Sequence, residues 1–230
     1  MKEMINNSLY FGIFISLLAY GVGAWIKAKF KFTILNPLLI SVAIIIMFLV
    51  FTDTSYETYN EGAKYISYFL TPATVCLAIP LYEQLEALKK NMKAIMIGIS
   101  SGVIAALVSI FLFALAFNFN NQEYVTFLPK SITTAIGMPL SEELGGIGSI
   151  TVVAIMITGL TGNILAVPIC KLFKITNPIA VGVSIGTSSH ALGTTKAMEL
   201  GEIEGAMSSL SIAVAGLLTV VGSTIFAKFI

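Results

Sequence analysis

The chain is 230 residues long, 57% of them hydrophobic and 11% charged, with a formal net charge of +1 and a mean hydropathy of +0.92. A water-soluble domain of this size could not cover so much apolar side chain with polar surface, so the composition reads as an integral membrane protein. The near-neutral charge and the lack of any lysine-rich run exclude nucleic acid as a partner.

In chain order, the first apolar run is Ser8 to Ile26. Its 19 residues, the following Lys27, Lys29 and Lys31 and the lack of a small-x-small cleavage site favour a retained first helix over a secretory signal. Phe32 to Thr52 is the second helix, with Pro37 in its first turns, where a missing amide is tolerated. An acidic loop with Asp53, Glu57 and Glu61 leads to Tyr65 to Tyr82, a span that Thr71-Pro72-Ala-Thr74 and Pro80 should break. Glu83 to Lys93 is short and polar, with Glu86 and Lys90 at i,i+4 spacing, and Ala94 to Phe117 is an uninterrupted apolar helix. Asn118 to Lys130 reads as a polar loop. Ser131 to Gly146 is hydroxyl-rich in its first half and too polar in its second for an ordinary span, so it either re-enters or crosses as a broken element. Ile147 to Cys170 crosses, and Ala206 to Ala227 closes the chain beside Lys228.

Between those last two helices lies Ile179 to Met198, a membrane-length segment holding His190, the chain's single histidine, among glycines and hydroxyls. Gly182, Gly186 and Gly193 each weaken a helix by about 1 kcal/mol relative to alanine. Ser184, Thr187, Ser188, Ser189, Thr194 and Thr195 offer the backbone competing hydrogen bonds. Non-helical backbone at membrane depth is tolerated where it is packed in protein or lines a wet cavity, so this stretch is either a binding site or a close helix-packing surface.

Cytoplasmic loops carry an excess of lysine, and the groups at 27 to 31, 89 to 93, 171 to 174 and 228 share one side if Ser131 to Gly146 re-enters. That gives an external N-terminus, a cytoplasmic C-terminus and seven crossings; if the segment crosses there are eight. The helix–broken span–helix triplet of about 32–117 recurs about 115 residues later over 147–227, running the opposite way in the seven-crossing arrangement. The fold class expected is therefore an all-α polytopic membrane protein, one membrane domain over 1–230, with two inverted repeats, discontinuous helices and a re-entrant element.

The anion-site candidates follow from the chemistry left to a chain without arginine. Thr71, Thr74, Thr133, Thr134, Thr187, Ser188 and Ser189 would bind through hydroxyls and freed amides. His190 would donate to a carboxylate or carry a co-transported proton, or else is a satisfied packing histidine. Lys196 would supply positive charge, or else pairs with Glu199 at i+3. Asn163 and Thr161 could line the same cavity or bond between helices. Catalysis is not expected: Ser189 and His190 are adjacent in sequence and the sole aspartate, Asp53, is in a loop. Cys76 and Cys170 form no disulfide or metal pattern, and no cofactor or metal is expected.

Thr71-Pro-Ala-Thr-Val-Cys-Leu-Ala-Ile-Pro-Leu-Tyr82, Pro129-Lys-Ser-Ile-Thr-Thr134, Gly145-Gly146 and Ser189-His-Ala-Leu-Gly-Thr194 together resemble the LrgB/CidB family of bacterial membrane proteins, in order and over nearly the whole chain. Where the family pattern often has a proline after the double threonine, this chain has Ala135. The resemblance implies antiholin-like modulation of murein hydrolase activity and autolysis beside an LrgA/CidA-like membrane partner. A related plastid glycolate/glycerate translocator and links to pyruvate uptake imply a carrier of small organic acids. The expectation drawn from residues and resemblance together is a secondary transporter of small monocarboxylates (pyruvate, glycolate or lactate) in the bacterial cell membrane. The alternative is an antiholin-like regulator of autolysis. The expected partners are the lipid bilayer, a small organic anion, an LrgA/CidA-like protein and further copies of the chain as a homo-oligomer.

Overall fold

The computed structural model describes residues 10–30, 35–69, 72, 75, 76 and 78–230, and every regular element among them is a helix. The chain forms two compact units, Met1–Cys76 and Leu77–Ile230.

The first unit contains α1 (Phe11–Phe30), α2 (Pro37–Thr52) and α3 (Tyr56–Ser67). Helix α2 begins where the Asn36 side chain accepts from the Leu38 amide at 2.9 Å, and it ends where Asp53 turns left-handed at φ 51°. The acidic stretch read as a loop is largely α3. Ser55 caps it by accepting from the Thr58 amide at 3.2 Å, Glu57 stands in its first turn and Lys64 in its last. Its low hydropathy hides a narrow packed stripe of Tyr59, Gly62 and Ala63. The backbone of that stripe lies against Gly12 of α1 so closely that a Cβ there would meet the Tyr59 carbonyl and the Ala63 amide.

The second unit contains α4 (Ala78–Glu83), α5 (Leu85–Phe117), α6 (Asn121–Phe127), α7 (Thr134–Glu143), α8 (Gly148–Leu172), α9 (Pro178–Leu200) and α10 (Glu202–Phe226). Polar residues 85–93 and the apolar run from Ala94 are one 33-residue helix, because no glycine or proline interrupts them before Gly98. At 1.5 Å per residue α5 is about 50 Å long, more than the hydrocarbon thickness of a bilayer. The stretch read as a polar loop contains α6, started by a reciprocal capping box between Asn120 and Glu123. The element at 131–146 contributes α7. Gly145, at φ 92°, ends it while the Gly146 amide donates to the Ser141 carbonyl at 2.7 Å.

Among the described residues, α1, α5, α8 and α10 are long and apolar enough to cross a bilayer, and α2 is a shorter apolar helix. Helix α10 shows which solvent this architecture suits. Ser208, Ser211, Thr219 and Ser223 are buried while Leu217, Val221 and Ile225 are exposed, the reverse of a water-soluble helix and the arrangement expected when lipid is outside. This is a membrane protein.

Candidate functional site

Two glycine pairs position α9. Gly98 and Gly102 lie one turn apart on α5 and face Val183 and Thr187; a Cβ on Gly102 would come within 2.6 Å of Thr187 Cγ2, and one on Gly98 within 3.2 Å of Val183 Cγ1. The neighbouring stripe of α9 carries Gly182 and Gly186, whose missing side chains let the α10 backbone approach at Glu204 and Ser208. Helix α9 thus lies against the α10 backbone through contacts that only glycine permits, and against α5 across side-chain methyls that a Cβ would have to displace.

The helix is also broken, three residues beyond Thr187. His190 has φ 43° and ψ −141° inside an otherwise helical run, a backbone state costing about 1–3 kcal/mol that persists only when surroundings over-determine it. They do so here. His190 Nε2 lies 3.0 Å from the Ile155 carbonyl of α8; a carbonyl can only accept, so Nε2 carries a proton and donates. Thr194 Oγ1 donates to the His190 carbonyl at 2.9 Å and shares a second bond with Ser208 Oγ at 2.7 Å. Gly159 makes room for the ring, since a Cβ there would lie 2.6 Å from His190 Cε1.

Between α5, α9 and the 130–131 segment lies a cavity of about 740 Å³. Helix α5 lines it with Asn91, Gly98, Ser101, Gly102 and Ser109, and α9 with Val183, Ser184, Thr187 and Ser188; Asn177, which caps α9, and Lys130 and Ser131 complete it. A buried polar knot behind the cavity wall fixes Lys130. Thr151 Oγ1 hydrogen-bonds to the Thr126 carbonyl at 2.9 Å and to Ser141 Oγ at 2.7 Å, and the Ile147 amide donates to Thr126 Oγ1 at 2.9 Å. The chain between Thr126 and Ser141 therefore has both ends tied to α8.

Most hydroxyl protons in the wall are already committed. Ser184 Oγ donates to the Ala180 carbonyl at 2.7 Å, Ser188 to Ser184 at 2.8 Å, Ser101 to Gly98 at 2.8 Å and Ser109 to Ala106 at 2.7 Å. Thr187 differs: it is 6% exposed and its Oγ1 has no hydrogen-bond partner among the described residues. Lys130, half-buried, donates to Ser131 Oγ at 3.2 Å. Loss of solvent pushes its ammonium pKa below the ordinary lysine range.

Of the sequence-predicted site residues, the structure brings Thr187 and Ser188 into the cavity. Ser189 is buried beside it, its Oγ 3.0 Å from Ser188 Oγ. His190 and Lys196 do not line it. The histidine is occupied by Ile155, and Lys196 Nζ pairs with Glu199 at 2.8 Å. Thr133 is the residue preceding α7 and makes no side-chain cap bond, Thr134 is exposed at the start of that helix, and neither lines the cavity. Thr71 and Thr74 lie outside the described residues. Asn163 donates to the Leu192 carbonyl at 2.8 Å and to Thr195 Oγ1 at 3.1 Å, bonding between helices. Sequence reasoning missed Lys130 as a site residue. The available signal was that it stands apart from the lysine groups that set orientation, directly before a hydroxyl-rich segment. Among the described residues no three of His, Cys, Asp or Glu gather as a metal-holding group.

The model of the LrgB-like family matches residues 16–229. The chain belongs to the LrgB-like family. Its relatives within that family include the antiholin-like protein LrgB of Bacillus cereus strain B4264 and that of Bacillus anthracis strain CDC 684 / NRRL 3495. Each is 40% identical over 222 residues, covering 96% of both chains. No solved structure matches the chain significantly. The resemblance read from the sequence motifs is thus the family, and the relatives' name sides with the antiholin-like alternative and not with the carrier.

Proposed function

We propose that this chain is an antiholin-like protein of the bacterial cell membrane that restrains murein hydrolase activity and autolysis beside an LrgA-like membrane partner. The observation that supports this reading is the 40% identity, over 96% of the chain, to proteins named antiholin-like. The test is cellular. Deleting the gene in its host should raise murein hydrolase activity on zymograms and speed detergent-induced lysis, and restoring it should reverse both. Unchanged lysis and zymograms in the deletion strain would refute the role.

The cavity favours a second reading, in which the protein is a secondary transporter of small monocarboxylates. A hydroxyl-lined space with one ammonium, beside a helix interrupted at His190, supports it. In this reading the chain is one polytopic membrane domain of seven or eight crossings that works as a homo-oligomer and without enzymatic chemistry. The inverted repeats of about 32–117 and 147–227 move against one another to expose the solute to each side in turn. Proteoliposomes separate the two readings. Saturable, competable uptake of pyruvate, glycolate or lactate supports the carrier; size-graded leakage without saturation, or no flux at all, leaves the antiholin-like role alone.

A further inference from the structure

We propose that Lys130 and Thr187 form the head-group subsite of the cavity, selecting a singly charged anion and orienting it toward the segment before α7. The assignment rests on the reading of the cavity as a solute site. It names residues that this reading left open: Lys130 was not among the hydroxyl and histidine candidates, and Thr187 was one of several.

An anion needs N–H or O–H donors, and counting serines alone would credit the wall with them. In this cavity the protons of Ser101, Ser109, Ser184 and Ser188 point into their own helices, which leaves lone pairs toward the cavity. A carboxylate placed against that wall would meet acceptors and gain nothing. The uncommitted donors are elsewhere: the side-chain amide of Asn177 and one N–H of Asn91, both neutral, two of the three Lys130 ammonium protons, the hydroxyl of Ser131, which accepts from Lys130, and the Thr187 hydroxyl, whose oxygen is buried without a partner on a residue that lines the same cavity. A buried orphan hydroxyl costs free energy unless something occupies it in another state of the protein.

Charge decides the ligand's valence. Lys130 is the one ionisable side chain among the described residues that line the cavity, and no carboxylate among the described residues pairs with it. His190, Lys196 and Glu199 on α9, Glu86, Lys89, Lys90 and Lys93 on α5, Glu123 and Tyr124 on α6, and Glu142 and Glu143 on α7 do not line it. A monoanion is neutralised there. A dianion of similar size would bring a second charge into an acceptor-lined space without a counter-ion.

The experiment is equilibrium binding of pyruvate, with malonate as dianion and glycerol as neutral comparator, to the full chain in nanodiscs. Wild type should prefer pyruvate over malonate. Lys130→Met should lose roughly tenfold to a hundredfold in pyruvate affinity, the range of a hydrogen bond to a charged group. Thr187→Val should lose less, Lys130→Arg should keep more of the affinity than Lys130→Met, and Lys228→Met, outside the cavity, should bind as wild type. Because Arg stays charged at high pH, Lys130→Arg should also move the alkaline loss of binding upward. The pH readout, with size-exclusion profiles, separates a role in binding from a fault in folding. Wild-type affinity in Lys130→Met, or an unmoved alkaline limb in Lys130→Arg, overturns the assignment. Absence of pyruvate binding by wild type overturns the carrier reading itself and the assignment with it, and is recognised before any variant is compared.

Discussion

Gly186→Ala should destabilise the protein although it exchanges a poor helix former for the best one. Gly21 supplies the reference. A Cβ on Gly21 meets nothing within 4 Å, so Gly21→Ala should realise up to the full propensity gain of about 1 kcal/mol. At Gly186 the same methyl would lie 2.8 Å from Ser208 Cα, and nearer still to the Ser208 carbonyl oxygen. Carbon atoms in contact sit about 3.5–4.0 Å apart, so α9 and α10 must separate by roughly 0.7–1.2 Å. The obstacle is backbone, and no rotamer relieves it. A gap of 0.5–1 Å forfeits about a quarter to a half of each dispersion contact along the interface, and overpacking of this kind costs about 1–3 kcal/mol. The separation also stretches the 2.7 Å bond between Thr194 and Ser208 that holds the break in α9. Apparent melting midpoints of the two variants in one detergent provide the assay. Gly21→Ala should melt at or above wild type and Gly186→Ala clearly below. A Gly186→Ala protein as stable as wild type would refute the close approach of α9 and α10.

Thr151→Val should lower stability by about 1–3 kcal/mol, since it strips a partner from the buried Thr126 carbonyl and Ser141 hydroxyl; denaturant titration in mixed micelles measures it. His190→Ala should shift the melting midpoint down more than it changes pyruvate affinity, because the ring serves Ile155 and does not line the cavity; an unchanged midpoint with lost affinity would contradict this. Lys196→Met should stay within about 0.5 kcal/mol of wild type, as partly exposed ion pairs are worth little. Burial holds the Lys130 pKa below the usual lysine range. Anion affinity should therefore be full below that pKa and fall as pH rises through it, while an exposed lysine would still be charged; a binding titration locates the fall.

Helix type and the identity of the apolar spans were legible because long runs such as 94–117 and 147–170 leave lipid-facing helices no competitor. Boundaries failed where polarity was mistaken for irregularity. Residues 56–67 and 121–127 form helices through caps at Ser55 and Asn120, which a hydropathy average cannot see. Residues 85–93 extend α5 because nothing in them ends a helix. The break in the segment 179–198 was anticipated from its glycines and hydroxyls, yet it falls at His190, where a hydrogen bond from another helix decides. Site prediction from hydroxyl content was weakest. Composition counts oxygens, whereas binding depends on where each proton is already spent, and that is set by i−4 carbonyls and by partners on other helices.

The inward-turned serines also govern how the cavity meets water. A wall whose donors are satisfied within their own helices can dry without leaving an N–H or O–H stranded, so dewetting should be cheap along Ser101, Ser109, Ser184 and Ser188. The resistance to drying is concentrated at Lys130, Ser131 and the side-chain amides of Asn91 and Asn177. Such a chamber holds its water at a few donors, and whatever displaces that water must supply the same hydrogen bonds to them.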